Sequence, residues 1–215
     1  MRGTNSISLF ALTALVLAAC GAPESGGAGA EATEELASVA SARDLAPQDA
    51  FWANLQALCE STIPAAPGKL LQAPEGDTQI DPEAPLVVHF WECGDDELRF
   101  PLHVADNRSR TWVFIRHDDH LELRHDHRHE DGTEESNTWY GATTLEEGSP
   151  TSQEFVTRRG EFSGGWRVEI EPGERFTYGT IRNGEWRHHL EFDLSSPTEV
   201  PPLPWGHETR PSQRP

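Results

Sequence analysis

The stretch RTWVFIRHDDHLELRHDHRHEDG, Arg110 to Gly132, decides how this chain folds. It reads as two extended segments joined by a tight turn at Asp118-Asp119, and it holds five of the ten histidines. A two-residue turn there pairs His117 with His120 and Arg116 with Leu121. Continuing the register sets Phe114 opposite Leu123, Trp112 opposite His125, and Arg110 opposite His127. One face of the hairpin then carries Arg110, Trp112, Phe114, Leu121, Leu123, His125 and His127. The other carries Thr111, Val113, Ile115, Glu122, Arg124 and Asp126. The aromatic face is expected inward, because on the other face Val113 and Ile115 sit across from Arg124 and Glu122.

Outward from this hairpin the period of two continues. Leu86–Cys93 and Glu97–Val104 read as strands around the turn cluster Gly94-Asp95-Asp96. Pro101 has no N–H for a ladder, which predicts an edge or a bulge at that point. On the far side come Trp139–Leu145, a GSPTS turn and a weaker strand around Glu154–Val156. Trp166–Glu171, Arg175–Ile181 and Glu185–Leu194 follow, joined by Pro172-Gly173 and Asn183-Gly184, which suit a type II and a type I′ turn. The second turn pairs Ile181 with Trp186 and Gly179 with His188. It gathers Trp166, Val168, Ile170, Ile181, Trp186, Leu190 and Phe192 on one face. Before the strands, Pro47 and QDAFWANLQALC place Phe51, Trp52, Leu55, Leu58 and Cys59 on one helical stripe, the pattern of a helix laid across a sheet or barrel mouth. The Pro-, Gly- and Ala-rich segment Glu60–Pro85 reads as a long loop. The whole is mainly β: a single antiparallel meander of about eight or nine strands with one N-terminal amphipathic helix, expected to close or nearly close into a barrel, since closure removes exposed edges. This pattern is similar to lipocalin-like (calycin) barrels, which hold apolar or amphipathic ligands. The segments RSRTWV and LRHDHRHEDG resemble uncharacterised secreted bacterial proteins.

The first nineteen residues form a separate segment. Arg2 supplies a positive start, and LFALTALVLAA is an apolar run too short for a permanent membrane span. It ends Leu17-Ala18-Ala19-Cys20, which resembles the lipobox of bacterial lipoproteins. That resemblance implies cleavage before Cys20, lipidation of Cys20 and a lipid-anchored protein of the cell envelope. Gly21 in place of Asp favours the outer membrane by the same resemblance. The domain plan is therefore 1–19 signal, 20–46 flexible linker, 47–196 β-rich domain and 197–215 proline-rich tail. With Cys20 committed to lipid, Cys59 and Cys93 remain as an even pair in an oxidising compartment, and a disulfide between them is expected. Closing a loop of that length contributes roughly 3–4 kcal/mol on the chain-entropy account.

Acids outnumber bases 36 to 17 for a formal charge of −19, and removal of Arg2 with the signal makes it −20 (16 − 36). Such a balance excludes nucleic acid and anionic lipid faces as partners, which need a basic surface. The chemistry concentrates in H-x-H spacing. His125 and His127, or His127 and His129, lie roughly 6.5–7 Å apart on a strand and can converge on zinc or another divalent ion at about 2.0–2.1 Å. A third ligand would come from His103, His188, Glu130 or Asp131. The outer pair, His125 and His129, is about 13 Å apart, so one ion cannot take all three. The plainer reading is a polar strand end, with Arg124, Asp126, Arg128 and Glu130 forming a solvated ion-pair lattice. A polar ligand pocket using His and Arg as donors is the third.

Three functional classes follow. The first is a non-catalytic binding module for a small ligand or divalent metal, anchored in the envelope. The second is a metal-assisted hydrolase with Glu130 or Asp131 as base. The third is a structural or assembly lipoprotein that docks an envelope partner. No G-x-S-x-G, S-x-x-K, H-E-x-x-H or P-loop occurs, which weighs against an enzyme, and no catalytic residue is assigned.

Overall fold

The structure, a computed structural model, describes residues 45–196 and 198–207. The leader, Cys20 and the linker up to residue 44 lie outside the described residues. Among the described residues one helix, α1 (Pro47–Glu60), precedes twelve strands. They are β1 (Ala65–Gln72), β2 (Leu86–His89), β3 (Glu92–Cys93), β4 (Glu97–Val104), β5 (Asn107–Arg116), β6 (Leu121–His127), β7 (Tyr140–Thr144), β8 (Ser152–Arg159), β9 (Phe162–Glu171), β10 (Arg175–Arg182), β11 (Glu185–Trp186) and β12 (His189–Asp193). All pairings are antiparallel, and β9 pairs with β10 to close the sheet. The short strands β3 and β11 lie outside the ring, pairing only β4 and β10, so ten of the twelve form a closed barrel. Each barrel strand is hydrogen-bonded to its neighbours in sequence, an up-and-down meander.

The Arg110–Gly132 hairpin has the register its turn dictates, with Trp112 opposite His125 and Arg110 opposite His127. Its aromatic face points inward. Trp112, Phe100, Phe114, Phe155, Phe176 and Phe192 meet in the lumen, each with less than 2 % of its surface exposed or at that limit. Ring centroids 5.4–6.2 Å apart link them edge to face or tilted, the arrangements the aromatic quadrupole favours. The lumen is therefore packed with rings.

Helix α1 closes one end. Phe51, Trp52, Leu55 and Leu58 join the core. Trp52 Nε1 donates to Asp95 O, Asn54 to Pro150 O, and Gln48 to Thr144 Oγ1 and Glu146 O, so the helix ties together the β3–β4 and β7–β8 turns of that rim. The Cys59–Cys93 disulfide, with Cα atoms 6.1 Å apart, fastens the end of α1 to β3.

Three elements depart from the sequence reading. The segment read as a loop contains β1, which pairs β2 on one side and β12 on the other and so closes the barrel. Its sequence AAPGKLLQ has no β-branched or aromatic residue, so propensity hid it. Gly68 is required there, because a Cβ would come within 2.4 Å of the Phe192 ring. With β1 and the split strands counted, the total exceeds the eight or nine expected. The strand expected over Leu86–Cys93 breaks at Phe90-Trp91, and Phe90 turns into the core. Pro101 faces that break: Arg99 O, on the same side of β4, accepts from Trp91 N, so the missing donor falls where the neighbouring strand is interrupted, not at an edge. The third departure lies after the Asn183-Gly184 turn. Ile181 does pair Trp186, but Arg187 and His188 both direct their N–H groups to Thr180 O. This bulge shifts the register by one, so that Tyr178 faces Leu190. Ile181, paired with Gly165, and Trp186 therefore lie on the outer face, while Trp166, Val168, Ile170, Leu190 and Phe192 stay on the inner one.

Candidate functional site

The histidines of β6 sit at the end of the barrel away from α1. His125 is buried in the lumen, its ring stacked on Tyr140 at 4.7 Å and against Trp166 at 4.7 Å. Its Nδ1 lies 3.1 Å from Tyr140 O, which can only accept, so Nδ1 carries the proton. The lone pair on Nε2 then accepts from Tyr178 Oη at 2.5 Å. Burial holds the His125 pKa down to about 3, so the ring is neutral. The Tyr178 ring stacks on Trp112 at 3.8 Å, and burial raises its phenol well above its ordinary value. His127 follows at the rim, with Nε2 3.0 Å from Tyr140 Oη and a pKa lowered by burial and by Arg110. The chain has two tyrosines, and both serve these histidines.

This arrangement leaves His125 no free lone pair for a metal. The remaining sequence candidates are scattered. His129, Glu130 and Asp131 are exposed on the β6–β7 connection, where Asp131 caps Thr133. His188 bridges Thr180 Oγ1 at 2.7 Å and Asp77 Oδ2 at 3.0 Å, pinning the β1–β2 connection to the bulge. His103 is on the outer wall. Among the described residues no group of three or more His, Cys, Asp or Glu side chains is placed to hold a metal ion.

The outer face of the same hairpin is not the solvated lattice expected. Arg124 does pair Glu122, and Glu130 is exposed. Asp126, however, is 1 % exposed, held by Arg128 Nε at 3.0 and 3.2 Å, with Arg99 and His207 at 3.8 and 3.5 Å. Burial pushes its carboxyl up, but the close approach of His207 and the hydrogen bonds and charge of Arg128 outweigh that and hold it below the ordinary range. The cover is the C-terminal segment. Residues 198–207 run as a strap along the outer wall, with Pro204 and His207 buried. Trp205 N donates to Arg108 O at 3.2 Å and Arg108 Nη1 to Leu203 O at 2.8 Å.

Between the strap and the wall of β2, β4 and β5 is a groove of about 430 Å³, within the usual range of small-molecule sites. Val87 and His103 form part of its wall, with Asp106, Arg108, Glu130 and Trp205 around them. His103 is 3 % exposed, and its Nε2 has no hydrogen-bond partner among the described residues. Burial, with help from nearby His89 and Arg108, brings its pKa down to about 4, so it is neutral at physiological pH. Ala105, at the lip, has φ +50°, a left-handed conformation costly for a residue with a Cβ. A second depression of about 410 Å³ lies at the α1 end, lined by Glu169, Glu171 and Glu174, with no aromatic or cationic side chain. No protein-family model matches this chain, and no curated protein or solved structure does either.

The sequence puts His103 among metal candidates but carries no signal for Arg108, Asp106 and Trp205 as its neighbours. The strap brings Trp205 to them across nearly a hundred residues, and no local pattern carries that.

Proposed function

We propose that this protein is a non-catalytic binding module that takes a small polar ligand in the groove beneath the C-terminal strap, not in the lumen. The observation that carries the reading is the contrast between a ring-filled lumen and an outer groove of about 430 Å³ with an aromatic, a cation, two carboxylates and an unpartnered buried imidazole nitrogen. Lipocalin-like barrels have eight strands enclosing a ligand cavity; here ten strands enclose aromatic side chains, which favours a different use of the barrel, as a rigid support for a surface site. The absence of any converging histidine set among the described residues weighs against the metal-dependent readings. In the same proposal the module is held at the bacterial envelope, with the outer membrane favoured, through a lipidated Cys20.

Two experiments test this. A thermal-shift screen of small polar molecules should give hits on the native chain that vanish in Trp205→Ala. Hits that persist unchanged in that variant, or no hits, would overturn the groove reading. Cys20→Ser should move the protein from the membrane to the soluble fraction, and continued membrane retention would overturn the anchor.

A further inference from the structure

The charges around the groove narrow its ligand. Arg108 opposes a cationic ligand, while Asp106 and Glu130 oppose an anionic one. His103 adds an uncharged imidazole whose Nε2 is unpartnered. Trp205 offers an indole face whose negative quadrupole suits positively polarised C–H bonds. Prolines 85, 201 and 202 complete the lining and carry no side-chain donor or acceptor. A ligand that satisfies all of these has no net charge, many hydroxyls able both to donate and to accept, and one flat C–H face.

We propose that the groove binds a neutral saccharide unit, with one sugar face on Trp205 and its hydroxyls shared among Asp106, Glu130, Arg108 and His103. This deepens the binding function proposed above and rests on it. Two further features fit a built site. The Trp205 backbone is fixed by hydrogen bonding to Arg108, which itself grips Leu203 O, so the aromatic platform and the guanidinium are set by one bond pair. At the lip, Ala105 holds an unfavourable φ in the Ala105-Asp106 turn between β4 and β5, which places Asp106 beside the groove. Backbone strain of this kind clusters at ligand-binding sites.

The test is saturation-transfer NMR on the full chain with neutral disaccharides of glucose, galactose and N-acetylglucosamine, beside glucuronate and glucosamine as charged probes. The expected result is saturable binding of at least one neutral disaccharide with Kd on the order of 0.1–1 mM. Trp205→Ala should weaken it at least about tenfold and Trp205→Phe much less. Glu130→Gln, an exposed change, should weaken it a few-fold while leaving the melting temperature unaltered. Tighter binding of either charged probe, or binding indifferent to Trp205→Ala, would overturn the saccharide assignment while leaving a small-ligand groove standing. If no sugar binds but the thermal-shift screen yields groove-dependent hits, the saccharide assignment also falls. If neither experiment finds a ligand, both readings fall.

Discussion

Replacing Tyr178 with Phe removes one oxygen from the middle of the barrel and tests how the buried histidine is held. Tyr178 Oη donates to His125 Nε2 at 2.5 Å, and the other ring nitrogen is already committed to Tyr140 O. The phenyl ring keeps its stack on Trp112, so little packing is lost. What is lost is the partner of a buried acceptor, which costs about 1–3 kcal/mol. For a domain of this size that is a fall in Tm of roughly 2–12 °C. Urea unfolding at pH 7 measures it, and a double-mutant cycle with His125→Phe isolates the pair. With both partners gone neither member of the pair is orphaned, and the donor lost to Tyr140 O is common to His125→Phe and the double variant, so the double variant should be more stable than the sum of the single losses by about 1 kcal/mol or more. Long-range nitrogen correlations should also show His125 protonated at Nδ1. A loss below about 0.5 kcal/mol, within the range of inconsequential substitutions, together with additive single effects, would mean that Tyr178 does not hold His125.

Other consequences follow from the same geometry. His125 titrates at about 3 and His103 at about 4 in the fold, against 6.5 when unfolded. The unfolded chain therefore binds the extra protons, and stability is full above about pH 6.5 and falls with pH toward those values, at about 1.4 kcal/mol per pH unit for the fully buried His125. Urea midpoints at pH 7 and pH 5 should show the fall, and His125→Phe should flatten it; an unchanged slope in that variant contradicts the assignment. Gly68→Ala forces a Cβ against the Phe192 ring where β1 and β12 close the barrel, and should destabilise by about 1–3 kcal/mol in chemical unfolding. Ala105→Gly relieves the left-handed backbone and should stabilise by up to about 1 kcal/mol; a loss of stability would mean that the turn is not strained. Reducing Cys59–Cys93, which closes a separation of 34 residues, should cost roughly 3–4 kcal/mol by the same assay.

What the sequence disclosed followed local rules. A two-residue turn fixes a register outright, so the Arg110–Gly132 hairpin could be read pair by pair, including which face enters the core. The helix stripe and the Cys59–Cys93 pair were equally legible, one from period and the other from parity. Strand β1 was not, because AAPGKLLQ earns its place through pairing on both sides and through the space a glycine leaves for Phe192. Nor was the bulge at Arg187-His188, where one extra residue reverses the faces of everything after it. The candidate site was half visible. Histidines two apart on a strand suggested metal, but the two tyrosines that occupy His125 and His127 come from β7 and β10, and register alone does not bring β10 across the lumen to β6. Asp126 looked solvated because the strap residue that covers it, His207, lies 81 positions later in the chain (207 − 126).

Whether ligand meets the outer groove, as proposed, or the lumen can be read directly. Labelling the seven tryptophans with 5-fluorotryptophan, and assigning each by substitution to Phe, separates the two places in one fluorine spectrum. Trp205 reports the groove; Trp112 and Trp166 line the lumen. On titration with a bound sugar or any hit from the thermal screen, the Trp205 resonance should shift saturably while Trp112 and Trp166 stay unmoved. Saturable shifts at Trp112 or Trp166 with Trp205 unmoved would contradict the groove reading.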